Sequence, residues 1–136
     1  MPTTVWNNPL YKKLGIKTGY SLLILNEPKD YLEFFNDFPE NILLNNNPGK
    51  EKYDLVHLFA TSQAEFECLF ILAKSVIKTN GAIWVSWPKK TSGVVSEIDM
   101  NKVKEFGIKT GLVDAKIASM DNIWSACKFV IRVKDR

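Results

Sequence analysis

The sequence predicts an α/β protein: a three-layer, mostly parallel sheet of about six strands, closed by an antiparallel hairpin. Three observations carry this. Residues 20–25 (YSLLIL), 53–60 (YDLVHLFA) and 82–87 (AIWVSW) are continuous apolar runs, as expected of strands covered on both faces. The segments between them have helix spacing and helix caps, so successive strands are joined by right-handed crossovers and run parallel. The last two strands are separated only by a short turn and must be antiparallel.

Each element has a local reason. Asp30 and Glu33 have capping-box spacing ahead of LEFFNDF, a short helix ending near Pro39. Asn41 to Leu44 can form a brief second strand, and residues 45–50 (NNNPGK) are a turn by composition. Ser62 and Glu65 repeat the capping box. Behind them Phe66, Leu69, Phe70, Ala73, Val76 and Ile77 fall on one helix face, with Asn80-Gly81 as a left-handed stop. Pro88 closes the strand at 82–87. Past the polar loop KKTSG comes a helix from about Glu97 to Phe106, then strands at 113–119 and 124–133 around Met120-Asp121-Asn122. In the last strand Phe129, Ile131 and Val133 point one way, and Lys128, Arg132, Lys134 and Arg136 the other. That basic face reads as a device for solubility at a sheet edge. The pentapeptide GIKTG occurs at 15–19 and again at 107–111. The flanking residues do not match, so a shared job explains it better than duplication: leaving a helix through one glycine and entering a strand through the next.

A chain of 136 residues with 46% apolar and 24% charged residues is sized for one domain, residues 1–136. Its net charge of +3 falls short of a dedicated nucleic-acid binder but leaves room for an anionic ligand. No apolar run is long enough to cross a bilayer, and MPTTVWNNPLYKK has no hydrophobic signal core, which favours the cytoplasm. Cys68 and Cys127 sit in apolar segments and read as buried, reduced thiols. With one histidine in the chain, no metal site is expected.

The stretches LGIKTGYSLLIL and NGAIWVSWP, with the closing hairpin, resemble the class I S-adenosylmethionine-dependent methyltransferase fold, a Rossmann-like arrangement. Nearly the whole chain is also similar to a family of short bacterial proteins of unknown function, through KKLGIK, LLILNEP, DLVHLFATS, VSWPKKTSG and WSACKFV. The resemblance implies a methyltransferase-like sheet, one strand short between Leu44 and Tyr53. In methyltransferases of this fold the turn after the first strand is rich in glycine and carries an acidic residue, because the ligand lies against bare backbone. Here that turn is Asn26, Glu27 and Pro28, and proline fixes φ and removes a donor. The second strand, which usually ends in an acidic residue for the ribose hydroxyls, here ends in LLNNN. These departures predict a degenerate site with no cofactor, S-adenosylmethionine being disfavoured.

Ligands of open parallel sheets sit beyond the C-terminal strand ends. That rule collects Asn26, Glu27 and Pro28, then Thr61 and Ser62, then Trp87, Lys89, Lys90 and Ser92, with Trp124 arriving from the hairpin. The two tryptophans, the lysines and the hydroxyls are expected to share one rim. WPKKTSG has two readings: an anion site with Trp87 stacking on a flat ring and Gly93 admitting backbone, or a solvated turn with Trp87 as a core plug. His57 is mid-strand and reads as a hydrogen-bonded core residue. Ser62 has no base to activate it, so no residue is assigned a catalytic role.

The main reading is a small binding or regulatory module for a small anionic or aromatic ligand or a protein partner. A divergent S-adenosylmethionine-dependent methyltransferase is the first alternative. A structural interaction protein, such as a homodimer, is the second. Nucleic acid and membrane are not expected partners.

Overall fold

The computed structural model describes residues 9–29, 31–35, 38–49 and 51–136. The strands are β1 (Ser21–Leu25), β2 (Leu43–Asn45), β3 (Tyr53–Phe59), β4 (Ile77–Pro88), β5 (Leu112–Ser119) and β6 (Trp124–Ile131). They form one sheet in the order β2-β1-β3-β4-β6-β5. The first four run parallel; β6 is antiparallel to β4 and to β5. Six strands with a closing antiparallel hairpin is the architecture expected. The chain moves outward from β1 to β2, then returns to place β3 on the other side of β1, so strand order reverses beside β1.

Helices α2 (Gln63–Val76) and α3 (Met100–Lys109) cover one face, packing Phe66, Phe70 and Val103 against Val56, Val85 and Phe129. The opposite face carries α1 (Leu10–Leu14) and a 3-10 turn at Tyr31–Phe34, with Leu14, Tyr31, Phe59 and Trp84 in its core. Ser62 caps α2, its Oγ accepting from the Glu65 amide at 3.2 Å, and Asp99 caps α3 through the Lys102 amide at 3.0 Å. The Trp84 indole donates to the Leu14 carbonyl at 2.7 Å, so a buried N–H satisfies an orphan carbonyl at the end of α1.

Several local expectations are revised. The segment after β1 forms a single 3-10 turn, and the capping box at Asp30 lies outside the described residues. Asn80-Gly81 does not stop α2: the helix passes directly into β4 at Ile77. Gly81 instead sits where a Cβ would lie 2.7 Å from the Asp54 carbonyl, so close backbone approach requires it. The bulge there brings Lys78 to Asp54 at 3.0 Å, and Asp54 also accepts from the Ser21 amide at 2.8 Å. The two GIKTG copies differ in role. Gly15 is the left-handed cap of α1, whereas Gly107 is buried inside α3, with a Cβ site 2.1 Å from the Phe129 ring; the left-handed exit is at Gly111. Strand β6 ends at Ile131, so Val133 is exposed. Cys68 is exposed on α2, contrary to expectation, while Cys127 is buried, and burial pushes its thiol up to about 12. No helix among the described residues is long and apolar enough to cross a membrane.

Candidate functional site

The glycine-free turn after β1 keeps the backbone shape that glycine would allow. Asn26 has φ 58°, in the left-handed region where asparagine is the most tolerated non-glycine residue. Its side-chain amide donates to the Phe59 carbonyl at 2.8 Å, pinning the end of β1 to the end of β3. The chain then turns through Glu27 and Pro28 into the wall of a cavity of about 730 Å³. That size is within the roughly 300–1,000 Å³ of small-molecule sites.

The cavity opens at the C-terminal ends of β1 and β2, beside the reversal in strand order. Ile24, Tyr31, Leu32 and Leu44 supply apolar wall; Glu27, Lys29 and Glu33 supply charge; Asn45 and Asn46 supply amides. Beneath it runs a buried polar chain. The Tyr31 hydroxyl is 2.8 Å from His57 Nδ1, and His57 Nε2 is 2.7 Å from Ser86 Oγ. Burial pushes the His57 pKa down to about 3, so the ring is neutral at physiological pH. Burial also raises the Tyr31 phenol above its ordinary value, with the Glu27 carboxylate adding to the rise. His57 is therefore a hydrogen-bonded core residue, and its chain to Tyr31 braces the cavity wall.

The remaining candidates lie elsewhere. Trp87, Lys89, Lys90 and Thr91 line a separate cleft of about 420 Å³ with the start of α3. Lys89 is a brace: its Nζ donates to Ser119 Oγ and to the Asp121 carbonyl, both at 2.6 Å, holding the hairpin turn. Ser92 closes its own turn onto the Lys89 carbonyl at 2.6 Å. Thr61 and Ser62 line neither cavity. The Thr61 carbonyl accepts from the Glu97 amide at 2.7 Å, and Ser62 is occupied as a cap. The two tryptophans do not share a rim. Trp87 packs into the core under α2 and α3, whereas Trp124 lies on the opposite face, edge-on to Phe59 at 5.1 Å. The reason is register: Trp124 is paired with Pro88 and Ser125 with Trp87, so their side chains alternate across the sheet. Ile24, Lys29, residues 31–33 and Leu44 were not expected as cavity lining, because their placement depends on the sheet rather than on any motif.

No protein-family model and no curated protein sequence matches the chain. Solved structures do. A complex of DhpI with SAH matches with TM-score 0.61 and 9% identity, over 97% of this chain and 86% of that one. A SAM-dependent methyltransferase from Aquifex aeolicus matches with TM-score 0.62 and 13% identity, over 96% and 89%. Magnesium protoporphyrin IX methyltransferase (ChlM) from Synechocystis PCC 6803, with bound SAH, matches with TM-score 0.59 and 8% identity, over 96% and 80%. The chain thus has the class I methyltransferase-like fold. These matches also correct the expectation of no cofactor, since proteins sharing this fold over almost its whole length hold SAH. A missing glycine is not a missing left-handed residue, since Asn26 has φ 58°.

Proposed function

We propose that the chain binds S-adenosylmethionine or S-adenosylhomocysteine as a divergent methyltransferase. The observation that carries the reading is the cavity at the ends of β1 and β2, whose Glu27–Pro28 wall follows the left-handed turn at Asn26. The residues present fit such a group. Glu27 and Glu33 offer carboxylates to a cationic sulfonium or an amino group, and Ile24, Leu32 and Leu44 suit a flat purine. Asn45 and Asn46 offer amides to ribose hydroxyls in place of the usual acid. When bound, S-adenosylmethionine supplies an electrophilic methyl whose transfer leaves a neutral thioether. The protein's part is then positioning and exclusion of water, with Glu27 and Glu33 as the carboxylates that can take the proton an N–H or O–H acceptor gives up. Pro28 stiffens the turn, and the Tyr31–His57–Ser86 chain fixes the floor. Under this reading Thr61, Ser62, Lys89 and Ser92 are structural.

Calorimetric titration with S-adenosylhomocysteine tests it. Saturable binding in the micromolar range is expected, weakened about tenfold by Glu27→Gln. No heat and no thermal stabilisation at millimolar ligand would overturn the reading.

A further inference from the structure

Lys116 and Lys128 stand directly opposite each other across the β5–β6 pair. Like charges in that register destabilise a sheet. Both reach the end of α1. Lys116 Nζ donates to the Lys13 carbonyl at 3.2 Å, and Lys128 Nζ lies 3.7 Å from where a Cβ on Gly15 would stand. A helix end can satisfy cations with its free carbonyls, but here those carbonyls are already used. Tyr11 and Lys12 accept from Ile16 and Gly15, Leu14 from Trp84, and Lys13 from Lys116. Among the described residues neither the Lys128 nor the Lys17 side chain makes a hydrogen bond or an ion pair.

Carboxylates among the described residues do not make up the difference. Ion pairs among the described residues are Lys78–Asp54 and Lys104–Asp114. Glu40, which lines a neighbouring cleft with Lys17, is in neither. Lys128 is half-buried, and its pKa is lowered by burial first and then by Lys116 and Lys17.

We infer that Lys17, Lys116 and Lys128 form a site for a compact phosphoryl anion, a phosphate monoester or diphosphate. Lys116 and Lys128, opposed across one strand pair and both at the end of α1, suit a small multiply charged group rather than an extended polyanion. The inference is independent of the proposed cofactor cavity, which uses other residues.

The test is titration of the full chain with inorganic pyrophosphate at low ionic strength, with sulfate as the control for general charge. Pyrophosphate is expected to bind saturably and about tenfold tighter than sulfate, and the Lys116→Met/Lys128→Met variant to lose that preference. Without anion, the double variant should melt at a higher temperature than the parent, because removing the opposed charges relieves repulsion; a merely structural role would lower it. Should the double variant fail to fold, Lys17→Met serves the binding readout. Undiminished affinity in the variants, equal affinity for sulfate, or lysine-dependent binding of a single-stranded oligonucleotide without pyrophosphate binding would each overturn the inference.

Discussion

On the α2–α3 side of the sheet, Phe70 meets three rings, with centroids 5.8 Å away at Phe66, 5.7 Å at Phe106 and 5.2 Å at Phe129. At the β2 edge, Leu43 and Leu44 are 64% and 42% exposed, on a strand of three residues. One region is a close-packed core and the other a thin margin, yet the larger cavity lies at the margin. Under the proposed function, stability and ligand recognition fall to different parts of one sheet. A site wall made of Leu32, Leu44 and a 3-10 turn adapts more cheaply than one made of interlocked rings.

Substitutions on each side break or sustain that contrast. Phe70→Ala removes the centre of the ring cluster and should cost about 4 kcal/mol in urea unfolding. Leu43→Ala at the edge should cost about 0.5 kcal/mol or less. Comparable losses at the two positions would mean that the edge is covered in solution and that the contrast is false.

His57 sharpens the same comparison, because it connects core to cavity wall. Its ordinary pKa of 6.5 holds in the unfolded chain, and burial in the fold pushes it down to about 3. Between those values the unfolded chain binds more protons, so stability falls as pH falls. The expected slope is about 1.4 kcal/mol per pH unit, or roughly 2 kcal/mol between pH 6.5 and 5. From about pH 7.5 upward the ring is neutral in both states and contributes almost no slope. Urea unfolding across that range should show the slope in the parent chain and lose most of it in His57→Gln. An unchanged slope in the variant would assign the acid sensitivity to other groups.

What could be read from sequence was whatever a short window encodes. The strands at YSLLIL and YDLVHLFA, the cap at Ser62 and the closing hairpin all follow from local periodicity or local hydrogen bonding. Features set by register were not legible. Trp87 and Trp124 fall on opposite faces because of which residues pair across β4 and β6, and neither segment specifies its partner. The opposed Lys116 and Lys128 are invisible for the same reason, being twelve positions apart in a hairpin with a bulge at residue 114 to 116. Gly81 and Gly107 were misassigned because a glycine looks alike whether it supplies positive φ or room for a neighbour.

Asn26 gives a small expected effect and the most direct test of the thin margin. Its φ of 58° and its bond to the Phe59 carbonyl are separable. Asn26→Gly keeps the conformation and loses the bond, for about 1 kcal/mol. Asn26→Ala loses the bond and adds left-handed strain of about 1 kcal/mol, part of which the stiffer unfolded chain offsets. The glycine variant should therefore be the more stable of the two in urea unfolding, and it should hold S-adenosylhomocysteine within about twofold of the parent while alanine weakens binding further. Equal stability and equal affinity in the two variants would show that the turn tolerates either backbone. The left-handed residue would then not be what shapes the cavity mouth, and the wall contributed by Tyr31 and Leu44 would have to do so alone.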